Sequence, residues 1–107
     1  MIVAELVYFA GCPNVDEARN QLQRALAAVQ LDPRWVEYEA TDPALPEHAK
    51  GFGSPTILIN GREVTGATPG GTSDACRLYL DDQGRRALAP ALSGIVAALT
   101  AAQAAGR

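Results

Sequence analysis

A change of hydrophobic period across four residues constrains this chain more than anything else in it. Residues 2–10 carry Ile2, Val3, Leu6, Val7, Tyr8 and Phe9, an almost continuous β-branched and aromatic run, as expected of a strand buried on both faces. After Gly11-Cys12-Pro13-Asn14 the apolar residues fall at helical spacing, with Val15, Ala18, Leu22, Ala25, Leu26 and Val29 on one stripe. The pattern predicts a central strand, a tight turn and a helix. Asn14 followed by Glu17 resembles a capping box, and Asp16 and Glu17 complement the positive end of the helix dipole.

The rest of the chain extends this start into an α/β domain. Leu31-Asp32-Pro33 ends the helix, and residues 35–39 alternate apolar and acidic side chains, predicting a half-exposed strand and hence a βαβ unit. Residues 41–53 contain Pro43 and Pro46, then Glu47, His48, Ala49 and Lys50 before Gly51-Phe52-Gly53, a short helix between loops. Thr56-Ile57-Leu58-Ile59 and Arg62-Glu63-Val64-Thr65 flank Asn60-Gly61, the strongest short-range hairpin signal. Residues 66–74 are rich in turn formers and read as a functionally shaped loop. Residues 76–80 fit either a short strand or a helical turn, broken by Asp81-Asp82-Gln83-Gly84. Pro90 is well placed as a first helical residue, with Leu92, Ile95, Val96 and Leu99 on the apolar stripe of a C-terminal helix. The expected architecture is a βαβ unit, short helix, β-hairpin and C-terminal helix around a central mixed sheet.

Composition bounds what such a domain does. At 107 residues and 48% apolar content, residues 1–107 are expected to form one domain with a core that needs no disulfide or metal staple. The net charge of −3, with no basic run longer than Arg85-Arg86, lacks the electrostatic footprint of a nucleic-acid binder. The start Met1-Ile2-Val3-Ala4-Glu5 has no basic region and too short an apolar stretch for a signal peptide or membrane span, so a soluble cytoplasmic protein is expected. In a reducing cytosol, two cysteines far apart in sequence are more readily reactive, metal-binding or buried than permanently cross-linked.

Cys12 stands just before a helix N-terminus, where unpaired backbone N–H groups and the dipole favour an anion, and the thiolate is the reactive form. It is the candidate nucleophile. Cys76 has two readings: a distant resolving thiol or second soft-metal ligand beside Cys12, or a core residue beside Leu78. His48, with Glu47 and Lys50 around it, reads as part of a solvated face. Trp35 and Tyr38 read as packing residues.

Phe9-Ala10-Gly11-Cys12-Pro13-Asn14 and Gly53-Ser54-Pro55-Thr56-Ile57-Leu58-Ile59-Asn60-Gly61 resemble the active-site turn and the cis-proline hairpin of the thioredoxin and glutaredoxin superfamily. With Cys76-Arg77-Leu78-Tyr79, they are similar more narrowly to small bacterial thioredoxin-like proteins often associated by name with alkylmercury lyase. The resemblance implies a thioredoxin-like fold and a substrate site of Pro13, Ser54, Pro55 and Thr56, in which a cis bond before Pro55 exposes backbone groups of Ser54 and Thr56 to an extended substrate beside Cys12 by strand-like pairing. It also implies that Gly70-Gly71 and Asp74 hold glutathione. The turn departs from the dithiol pattern, because Val15 occupies the place of the second cysteine.

Three functions follow as expectations. The first is thiol-disulfide exchange at Cys12, with Cys76 or an external thiol resolving the mixed disulfide on a thiol or disulfide substrate. The second is capture and transfer of Hg²⁺ or another soft ion by Cys12, with or without Cys76; organomercurial cleavage, with Asp74 as proton donor, is a remoter variant. The third is a non-catalytic interaction scaffold. No resident cofactor is expected, glutathione and Hg²⁺ entering only as ligands.

Overall fold

The computed structural model describes residues 2–70 and 77–105. Strand β1 (Ala4–Tyr8) leads through the Cys12 turn into helix α1 (Val15–Ala28), then strand β2 (Val36–Glu39), a single 3₁₀ turn (Glu47–Ala49), and the hairpin of β3 (Thr56–Ile59) and β4 (Arg62–Glu63). A second small hairpin, β5 (Tyr79–Leu80) with β6 (Arg86–Ala87), precedes helix α2 (Leu92–Ala105). The main sheet has the order β2-β1-β3-β4, with β1 parallel to β2 and antiparallel to β3. The fold is therefore mixed α/β, and β1 is central as its apolar run predicts.

The two faces of β1 belong to different layers. Ala4 and Leu6 face α1 and α2, packing with Leu22, Leu26, Ile57, Ile95 and Leu99. Val7 faces the other way, into a smaller cluster with Ala40, Leu45, Ala49 and Leu58 under the 3₁₀ turn. The buried residues of α1, Val15, Ala18, Leu22, Ala25 and Leu26, are those of the predicted stripe. In the hairpin, Asn60 and Gly61 have φ of 51° and 79°, the left-handed pair that a two-residue turn between twisted strands requires.

The helix ends differ from expectation. Asn14 lies at φ −98°, ψ 0° and makes no side-chain cap bond, so the capping box does not form; Cap conformation normally lies in the β region, which aims the side chain at the first turn. Pro90 is fully buried and lies ahead of the helix, whose first bonds run from the Gly94 and Ile95 amides to the Ala91 carbonyl. At the other end of α1, Leu31 N–H bonds the Leu26 carbonyl and Gln30 N–H bonds the Ala27 carbonyl, with Gln30 at φ 61°. This is a Schellman ending with a glutamine where glycine is normally found. Gln30→Gly is expected to raise unfolding stability by about 0.5–1 kcal/mol, because relief of left-handed strain exceeds the added chain entropy; an unchanged or lower midpoint in urea denaturation would refute this.

His48 is not simply solvated. Its Nε2 lies 3.0 and 2.9 Å from the two carboxylate oxygens of Glu5, a β1 residue only 4% exposed, so it partners a carboxylate within the smaller cluster's face of the sheet. The Tyr38 hydroxyl bonds the same carboxylate, and this bond, with burial second, holds the phenol above its ordinary value. No helix among the described residues is long and apolar enough to cross a membrane.

Candidate functional site

The turn that carries Cys12 is built by its glycine. Cys12 N–H donates to the Phe9 carbonyl at 3.1 Å, closing a turn in which Gly11 takes φ 90°, a conformation that side-chain-bearing residues rarely adopt. The turn is tied to β2 by the Ala10 amide, which donates to Glu39 Oε1 at 3.2 Å, while the Thr41 amide and hydroxyl hold Glu39 Oε2. Cys12 is buried to 9% exposure among the residues over α1, and Pro13 beside it is exposed.

A cleft of about 180 Å³ opens at this turn, bordered by Tyr8, Gly11, Cys12, Asp16 and Arg19. Its charged wall is a network. Arg19 donates through Nε and Nη2 to Glu37 at 2.9 and 2.8 Å and through Nη1 to Asp16 at 2.8 Å, and its guanidinium lies 5.5 Å from the Tyr8 ring centroid. The bond to Glu37 holds the Arg19 guanidinium above its ordinary value against the effect of burial. The same bond holds the Glu37 carboxyl below its ordinary 4.5, with burial opposing and the Trp35 indole N–H assisting. Trp35 thus does more than pack.

A carboxyl depressed in the folded state contributes stability that is fully present above its unfolded value and is lost as pH falls through its folded value. Stability is therefore expected to decline below about pH 4.5 partly through Glu37. Glu37→Gln should flatten this acid limb in urea midpoints measured across pH; an identical limb in the variant would remove Glu37 from the account.

The segment after Gly53 lies at the same end of the sheet. Thr56, first residue of β3, pairs with Val7 near the end of β1, so the Cys12 turn and Ser54-Pro55 leave the sheet side by side. The Ser54-Pro55 peptide is cis, as the resemblance implies. The exposure that the resemblance also implies is not found: Ser54, Pro55 and Thr56 are fully buried. The Ser54 carbonyl is taken by the Arg77 amide at 2.7 Å, and the Pro55 carbonyl accepts from the Tyr79 hydroxyl. Backbone expected to face a substrate is hydrogen-bonded to the chain itself. Ser54 Oγ is buried without a hydrogen-bond partner among the described residues.

Arg77 anchors this arrangement. Its Nη1 donates to Thr56 Oγ1 at 2.9 Å and to Glu63 Oε2 at 3.0 Å, and its guanidinium stacks 4.5 Å from the Tyr79 ring centroid. The Glu63 side chain is 1% exposed and also accepts from the Thr65 amide and hydroxyl and the Ala67 amide. Burial pushes the Tyr79 phenol far above its ordinary value; the Arg77 charge opposes this, and Glu63 and Cys12 add to it, so Tyr79 is a neutral donor.

Sequence reasoning missed Arg77, Tyr79, Glu63, Arg19 and Glu37. Of the residues it named for a ligand, Gly70 donates its amide to the Gly51 carbonyl at 3.1 Å, whereas Gly71, Asp74 and Cys76 lie outside the described residues. Leu78 is 75% exposed. Among the described residues no group of three or more His, Cys, Asp or Glu is placed to hold a metal ion. Set against models of protein families, curated proteins and solved structures, the chain matches none of them.

Proposed function

We propose that this chain is a cytoplasmic thioredoxin-like thiol protein in which Cys12 carries out thiol-disulfide exchange without a second cysteine in its turn. The observation that carries the reading is the position of Cys12: it ends the loop from the central strand, precedes α1, and opens onto a cleft at the sheet end where Ser54-Pro55 also emerges. The strand order β2-β1-β3-β4, both helices on one face and the 3₁₀ turn on the other, supports a thioredoxin-like arrangement, with β5 and β6 added before the last helix.

In this reading the Cys12 thiolate attacks one sulfur of a disulfide. The Cys12 Sγ–S bond forms, the old S–S bond breaks, and the departing thiolate takes a proton from solvent. A second thiol then attacks the substrate sulfur of the mixed disulfide, forming a new disulfide and returning Cys12 as a thiolate. The second thiol in that route is an external small thiol; where Cys76 resolves instead, it attacks Cys12 Sγ, the substrate leaves as a thiolate, and the resulting Cys12–Cys76 disulfide is reduced by excess external thiol. The test is turnover of 2-hydroxyethyl disulfide in excess glutathione: acceleration proportional to protein concentration is expected, and a rate equal to the protein-free reaction would overturn the reading.

A further inference from the structure

The hydrogen bonds around Ser54-Pro55 bear on which disulfides reach Cys12, and this inference rests on the exchange reading above. An unpaired strand edge beside a reactive thiol is where an extended peptide would add as a strand, its amides donating to free carbonyls. Here that edge is already occupied. Arg77 N–H holds the Ser54 carbonyl, the Tyr79 hydroxyl holds the Pro55 carbonyl, and Arg77 is fastened through its guanidinium to Thr56 and the buried Glu63. Among the described residues, a cleft of about 180 Å³ opens at Cys12 on the Gly11 and Arg19 side, smaller than the roughly 300–1,000 Å³ of sites that enclose drug-sized ligands.

We propose that residues 77–80 fill, from within the chain, the strand edge an extended peptide would need, so that Cys12 exchanges with small disulfides and excludes cystines held in extended polypeptide. Arg77 and Tyr79 are then specificity-determining residues that act by occupying carbonyls. The chemistry is unchanged: the small disulfide supplies the sulfur that bonds Cys12, and an external small thiol supplies the reducing equivalents for release.

Two probes with one leaving group test this: N-acetylcysteine amide and a short extended peptide with a central cysteine, each as its mixed disulfide with 5-thio-2-nitrobenzoate. Release of the coloured thiolate gives each rate, glutathione gives the intrinsic reactivity of each probe, and peptide mapping locates the adduct. Wild-type protein is expected to favour the small probe by about tenfold or more after normalisation, the loss associated with forgoing a docking hydrogen bond. Tyr79→Phe, which removes the donor to the Pro55 carbonyl, is expected to raise the peptide rate and leave the small-probe rate within about twofold. Equal rates in the wild type would overturn the proposal without any variant, as would a gap that Tyr79→Phe does not narrow. Silence of Cys12 toward both probes would overturn the exchange reading and this proposal with it, whereas a gap in the wrong direction would overturn this proposal alone.

Discussion

Cys12→Ser is expected to bring disulfide exchange down to the protein-free rate, a loss of roughly a thousandfold or more if the wild type turns over as an enzyme. The effect should be this large because the hydroxyl that replaces the thiol is neither ionised nor nucleophilic toward sulfur at neutral pH. The fold should survive the change: serine nearly matches cysteine in volume, and the Cys12 amide bond and the Gly11 conformation that close the turn are both kept. The control is a far-UV spectrum and urea midpoint close to those of the wild type. Cys76→Ser separates the two routes of release. If an external thiol resolves the mixed disulfide, this variant keeps its turnover in glutathione; if Cys76 resolves it, turnover slows while the first adduct still forms. Retained exchange in Cys12→Ser would remove Cys12 from the chemistry.

The largest effect on stability is expected from Arg77→Leu, about 3–5 kcal/mol, the usual consequence of stripping a buried charge of its partner. Glu63 keeps three neutral donors from Thr65 and Ala67 in that variant but loses its cation, while its side chain stays 1% exposed. The Thr56 hydroxyl and the Tyr79 ring lose a neighbour at the same time. For a domain whose whole stability is of order 5–15 kcal/mol, such a loss is severe. Glu63→Gln retains the shape and most acceptors at that position, and about 1–3 kcal/mol is expected, the difference between a charged and a neutral hydrogen-bond partner. Urea midpoints with unchanged slope measure both. A loss under about 1 kcal/mol for Arg77→Leu would mean that the pair is already well solvated.

What could be read from the sequence follows from which interactions are local. The β1 run, the α1 stripe and Asn60-Gly61 each signal structure over a few neighbouring residues, and each lies where its pattern places it. Residues 76–80 show the opposite. Alternation there, taken by hydrophobicity alone, would turn Leu78 and Leu80 inward; the chain instead buries Tyr79 to 4% exposure and leaves Leu78 and Leu80 at 75% and 65%. The inward face is chosen by partners 14 to 24 residues away, Glu63, Thr56 and Pro55, and no short window contains them. The β5-β6 turn had a local signal that is clear only in retrospect: the Asp81 carboxylate accepts from the Gln83 and Arg85 amides ahead of a left-handed Gly84. The Asn14-Glu17 spacing shows the reverse error, since the motif is present and the capping bond is absent. Cys12 itself was legible because a cysteine between a buried strand and a helix start is placed by backbone alone, whereas the bonds that close off Ser54-Pro55 are tertiary.

The most direct test of the account is intact-mass analysis and peptide mapping of the protein after brief exposure to oxidised glutathione, at low protein concentration. The account predicts a glutathione adduct on Cys12 that excess reduced thiol reverses, or an internal Cys12 to Cys76 bond formed from it. A protein in which Cys12 stays unmodified while unfolding in urea exposes it to full reaction would contradict the account, because the thiol would then be a core residue and the cleft beside it no route to chemistry.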